Sequence, residues 1–143
     1  MLSSGMSYRA LTLALALLTL TGPAHAAEKS REVGQYVDLQ PVALPIVVQG
    51  RLVNYVFVYV RVNFRNGVDI ARVRDKEPMF RDALVRQGHR TPFVVPNDWK
   101  RVDEAKLVAA LTRDAAAITG PNVVSSVVVT SQAPQKSVIT PGA

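Results

Sequence analysis

The stretch Leu52 to Phe64, LVNYVFVYVRVNF, constrains this chain more than any other. Val56, Val58, Val60, Val62 and Phe64 fall on one register of it; Tyr55, Phe57, Tyr59, Arg61 and Asn63 fall on the other. Successive side chains of a strand point to opposite faces, so this alternation predicts one long β-strand with two unlike faces. Its β-branched and aromatic residues suit a pleated surface. The valine face is expected against the core. The Tyr55–Asn63 face is amphipathic and is expected to be half-exposed. Asn66-Gly67 then ends the strand with a strong turn signal.

The flanking segments supply partners for that strand. Tyr36 to Val48, YVDLQPVALPIVV, has β-type residues interrupted by Pro41 and Pro45. Proline cannot donate to a ladder, so this reads as an edge or broken strand. A turn at Gln49-Gly50 would join it to the long strand as a hairpin. From Val68 to Gln87, Ile70, Val73, Phe80, Ala83 and Leu84 recur at helical spacings. Pro78 costs about 3 kcal/mol inside a helix but little in its first turn. The firm helix is therefore predicted over Glu77–Gln87, with Asp75 as its cap and Gly88 as its stop. The residues before Pro78 form a separate helical turn or a kinked extension.

Residues 89–98 read as a loop with an extended patch at Phe93–Val95. A second helix is predicted from Val102 or Asp103 to Thr119, with Leu107, Val108, Leu111, Ala115 and Ile118 as its buried stripe. Asp103 and Glu104 suit its positive N-terminal end, and Gly120-Pro121 stops it. Val123 to Thr130, VVSSVVVT, is a last strand, expected to insert beside Leu52–Phe64. The tail, 132–143, has two prolines and no periodicity and is expected to be disordered. The order strand, strand, helix, helix, strand predicts one small α/β domain over 36–131, its helices packed on one mainly antiparallel sheet.

The first 26 residues stand apart. Arg9 is followed by an apolar run, Ala10 to Thr21, then Gly22-Pro23 and the small-residue pattern Ala24-His25-Ala26. That is the layout of a secretory signal peptide. The run is about a dozen residues, where a spanning helix needs roughly 20. The expected product is periplasmic, with residues 27–35 as a linker; an uncleaved signal would leave it anchored in the inner membrane. The chain contains no cysteine, which excludes disulfides, thiolate catalysis and Cys-based zinc sites. Its formal net charge is +6, and it stays basic without Arg9. Export makes nucleic acid an unexpected partner. An anionic membrane surface, an envelope polymer or an acidic protein surface suits the charge better.

The residues that could carry chemistry are few. With His25 in the signal segment, His89 is the one histidine of the mature chain. A Ser-His-Asp arrangement would have to use it with Ser125 or Ser126, and neither serine sits in a G-x-S-x-G context. Asp69, Asp75, Glu77 and Asp82 lack the alternating pattern of a calcium loop, and one histidine does not make a zinc site. Asp103 and Glu104 are adjacent and point in different directions. No glycine-rich phosphate loop occurs. These residues predict no catalytic, metal or cofactor site and no enzyme. Tyr55, Phe57, Tyr59 and Arg61 remain as a candidate interaction face. Such a strand face can stack bases, but it also marks a sheet covered by a helix or a partner subunit.

Taken in order, YVDLQPVALPIVV, NYVFVYVRVNF, a helix carrying EPMFRDALV, DEAKLVAALTRDAAAI and NVVSSVVVT resemble the periplasmic domain of the flagellar basal-body-associated FliL family. The resemblance spans about 36–131. It implies a stomatin/prohibitin-like domain that forms rings around the flagellar stator, without catalysis or cofactor. It makes Arg81 and Asp82 structural, at a candidate subunit contact. The family usually has an N-terminal transmembrane anchor, which this chain replaces with a signal-like segment. The implied function is a structural or regulatory envelope protein acting through self-association and contacts with stator or basal-body proteins. The alternative is a periplasmic binding module for an anionic ligand or envelope polymer.

Overall fold

The computed structural model describes residues 35–136; the expected signal segment, nearly all of the linker and the end of the tail lie outside them. The chain runs β1 (Tyr36–Asp38), β2 (Val42–Val48), β3 (Arg51–Phe64), α1 (Ile70–Arg74), α2 (Glu77–Arg90), β4 (Val94–Val95), β5 (Asp98–Val102), α3 (Glu104–Thr119) and β6 (Val124–Pro134). This is the expected small α/β domain with an antiparallel sheet. α1 is the separate helical turn expected before Pro78, β4 falls in the extended patch expected at Phe93–Val95, and β5 is an addition.

The long alternating segment is the centre of the sheet. β2 pairs with β3 antiparallel from Val42↔Val58 to Val48↔Arg51, and β1 continues along the same edge with Val37↔Val62. The break between β1 and β2 falls at Leu39 to Pro41. Gln49 and Gly50 both adopt left-handed φ, 50° and 74°, the tight turn whose twist matches the strands it joins. On the other edge β6 pairs with β3 from Val56↔Pro134 to Phe64↔Val124. β6 therefore lies where expected but runs to Pro134, so residues 132–134 are strand rather than disordered tail.

The helices cover one face of this sheet. Val56, Val58, Val62, Leu44 and Ile46 are buried against Phe80 and Leu84 of α2 and Leu107 and Leu111 of α3. The Phe64 and Phe80 rings meet at 6.2 Å with a 40° tilt. Burying side chains of this size is worth about 1.5–3 kcal/mol each, which is what holds the helices on the sheet.

Two helix boundaries differ from expectation, each for a visible reason. Asp75 closes α1 instead of capping α2, whose N-terminus follows Lys76 with Pro78 in its first turn. Gly88 does not stop α2, which continues to Arg90. A Cβ at Gly88 would lie 2.7 Å from Leu44 Cδ2, so the glycine lets the helix approach β2. α3 begins as expected: Asp103 accepts a hydrogen bond from the Lys106 backbone N–H, and Gly120 (φ 97°) ends it. Among the described residues no helix is long and apolar enough to cross a membrane.

Candidate functional site

The sheet face away from the helices is the candidate site. Phe57 and Tyr59 are 38% and 41% exposed on it, and Val128 of β6 is 42% exposed. Tyr55, Arg61 and Asn63 are half-buried. Cross-strand partners point to the same side as the residues they face. Phe57 lies between Ala43 and Ala133, and Tyr59 opposite Ser131. These small neighbours leave both rings standing clear of the sheet.

Arg61 belongs to this face but is already engaged. Its Nε donates to Asp38 Oδ1 at 2.7 Å and its Nη2 to Asp38 Oδ2 at 2.9 Å. The guanidinium also lies 3.7 Å from the centre of the Tyr36 ring. A bidentate carboxylate pair with a ring beneath it is a strong anchoring arrangement for arginine. The hydrogen bond to Asp38, first among the causes, raises the Arg61 pKa further above its usual value. The cation is therefore permanent, and its fork is directed at Asp38 rather than at an incoming phosphate. Asn63 Nδ2 donates to Ser126 Oγ at 2.9 Å, tying β3 to β6 at the same end.

The structure divides the sequence-predicted site residues. Tyr55, Phe57, Tyr59 and Arg61 share the open face. Arg81 and Asp82 lie on α2, which packs on the other face through Phe80, Ala83 and Leu84. They do not bond to each other: Arg81 reaches Glu77 at 3.8 Å, and Asp82 pairs with Arg86 at 3.1 Å. Both are one-turn helix pairs, worth about 0.3–0.5 kcal/mol each; Asp82–Arg86 is exposed, whereas Glu77 is largely covered and also accepts from the Gln40 N–H at 2.9 Å.

His89 is exposed in the last turn of α2, and its Nδ1 bonds the Val85 carbonyl at 2.9 Å. A carbonyl only accepts, so Nδ1 carries the proton. Ser126, by contrast, lies on the open face with Asn63, on the opposite side of the sheet from α2. Among the described residues no group of three or more His, Asp or Glu is placed to hold a metal ion.

One residue that sequence reasoning passed over organises the edge of the site. Asn54 lies in register with the valine face and is 3% exposed. Its Nδ2 donates to the Trp99 and Lys136 carbonyls at 2.9 and 3.0 Å. Its Oδ1 accepts from the Tyr55 and Lys136 backbone N–H groups at 2.9 and 3.1 Å. All four bonding positions of the amide are thus used. The side chain imitates a strand pairing with Lys136 and holds the residues just after β6 beside β3. A lone asparagine on the buried register of a valine strand was the signal that could have revealed it.

The chain matches no family model and no curated protein.

Proposed function

We propose that the chain is an exported, non-enzymatic periplasmic protein that acts by protein contacts through the open face of its sheet, in the manner of the FliL-type flagellar proteins it resembles. The observation that supports this is the pair of aromatic side chains, Phe57 and Tyr59, presented to solvent on a rigid central strand. Clustered exposed apolar side chains with polar neighbours mark interaction surfaces. The flagellar part of the reading rests on the sequence resemblance of the long strand, the helix carrying Arg81–Asp82, the second helix and the final valine-rich strand. Retention of the signal segment would make the same protein an inner-membrane one. The test is swimming in soft agar of a strain lacking the gene, with and without the gene restored. Loss of swimming that restoration reverses is the expected result; unchanged swimming removes the flagellar reading.

A second reading, an anion-binding module, has one observation in its favour. A cleft of about 560 Å³ opens between the end of α2 and α3, floored by Pro92, Phe93, Ala109 and Ala110, with Lys106 and Arg113 beside it. An apolar floor flanked by cations suits an amphipathic carboxylate. Titration calorimetry with a fatty-acid carboxylate tests it. Binding weakened by salt and by Arg113→Glu is the expected result on this reading.

A further inference from the structure

The two edges of the sheet are unlike. The β1–β2 edge is short-stranded, broken between Asp38 and Val42, and carries Pro41 and Pro45. The β6 edge is an 11-residue strand whose only strand partner among the described residues is β3. Exposed edges are usually blunted by charged residues, above all lysine, because their free N–H and C=O groups template further pairing. β6 has no such charge, and its bulges lie on either side of Ser126–Val129 rather than within it. No charged side chain occurs between Asp114 and Lys136, in a chain that is 20% charged.

Beside this edge lies a groove of about 700 Å³, between β6, the first half of α3 and the β4–β5 hairpin. Val95, Ala105, Val108 and Val127 line it together with Arg101, Asp103 and Glu104. Those charges are already engaged, Arg101 with Asp98, Asp103 with Lys106, and Glu104 by the Gln132 amide. Towards its far end the edge is already in use: Gln132 Oε1 accepts from the Val102 N–H at 2.9 Å. Register shifts at Tyr59/Val60 and Asn63/Phe64 leave Thr130 and Ser125 out of register with β3, although the Thr130 hydroxyl donates to the Tyr59 carbonyl at 3.2 Å. The regular, free part of the edge is therefore Ser126–Val129.

We infer that β6 pairs antiparallel with β6 of a second copy, giving a closed two-fold dimer with one continuous sheet. The occupant follows from the edge itself. Its middle is uncharged and valine-rich, so two copies meet without burying an unpaired charge, although the chain as a whole is basic. Strand faces alternate with a period of two, so a two-fold axis that keeps both helix layers on one side must pass through a residue. An axis through Val128 sets Val128 opposite its copy on the open face. It also sets Val127 opposite the copy's Val129 on the helix face, beside the groove of each copy. Such an interface uses the same patch on both subunits and closes at two, unlike a head-to-tail ring. The inference does not rest on the flagellar reading, which concerns the Phe57–Tyr59 surface; a ring of the kind that resemblance implies is an assembly larger than two and would overturn it.

The test is the mass of the full chain by sedimentation velocity across a concentration series, with three variants. The unaltered chain is expected to be a dimer. Val128→Lys and Val128→Glu each place like charges directly opposite one another, and each alone is expected to lose the dimer. Mixing the two is expected to restore it. Met79→Lys, which puts the same charge on an exposed α2 position, is expected to leave the dimer intact. Because Val128 faces Arg61, circular dichroism melts of both Val128 variants establish that they are folded. A monomer at every concentration, an assembly larger than two, or a dimer indifferent to both Val128 charges overturns the inference. Swimming results bear on none of these outcomes.

Discussion

The two faces of β3 carry residues of similar character and meet opposite fates. Val58, Val60 and Val62 are 1%, 3% and 0% exposed, whereas Phe57 and Tyr59, which alternate with them, are 38% and 41% exposed. Side-chain polarity does not explain the difference. The more apolar Phe57 faces solvent, and the polar Asn54 is buried at 3%. Register decides which side a residue takes, and the layer of α2 and α3 decides which side is dry. Asn54 can occupy the dry side because four hydrogen bonds satisfy its amide. An aromatic residue on the wet side forgoes stabilisation of about 25 cal/mol per Å² of apolar area. That unspent area is what a partner could cover.

The contrast is broken most severely by the same charge placed on neighbouring residues. Val58→Asp buries a carboxylate without a partner and is expected to cost more than about 4 kcal/mol, enough to unfold a marginally stable domain. Phe57→Asp, one residue away, is expected to stay within about 1 kcal/mol of the unaltered chain. Urea unfolding of the pair compares the faces directly. Similar losses at both positions would mean that the open face is covered within the chain.

Asn54→Ala comes next. It leaves the backbone groups of Lys136 and the Trp99 carbonyl without their side-chain partners, at a cost of about 1–3 kcal/mol. Hydrogen exchange should rise most at Gln132–Lys136, where the amide holds the end of β6 and the residues after it. Uniform exchange across β6 would show that pairing with β3 suffices without it.

Gly88→Ala probes the layer that makes one face dry. Crowding against Leu44 costs about 1–3 kcal/mol in comparable overpacked cores, and the gain in helix propensity offsets about 1 kcal/mol of it. Thermal melts should show a small net loss that disappears in a Leu44→Ala background. A loss of the same size in both backgrounds would place its origin elsewhere.

The smallest effect belongs to Arg61. Arg61→Ala removes an exposed ion pair with Asp38, so a slight loss is expected that shrinks further as salt rises. The sign of its pH dependence follows from the raised pKa: the contribution is present at low and neutral pH and is lost only as pH rises through the folded value. Melts of the unaltered chain and Arg61→Ala should therefore keep a constant separation from neutral pH to mildly alkaline pH.

Period-two patterning made β3, its buried face and the position of β6 legible, because register alone determines them. What stayed hidden depends on contacts distant in sequence. Gly88 looked like a helix stop because its neighbour Leu44 lies far away in the chain. Residues 132–134 lacked any local strand signal, yet β3 supplies their template and Asn54 holds the residues just beyond. β5 was not expected because DWKRV shows no apolar alternation; only Val102 at its end is fully buried. The candidate face was legible in Tyr55, Phe57, Tyr59 and Arg61. Its limits were not, since the pairing of Arg61 with Asp38 joins residues from two strands.

The central claim, that the open face acts by contact while the other face only holds the fold, is tested most directly by complementation. A strain lacking the gene would be given the chain with Phe57→Ser and Tyr59→Ser, checked by circular dichroism and immunoblot for fold and amount. The expected result is a folded protein at normal level that fails to restore swimming. Full restoration by that variant would contradict the claim.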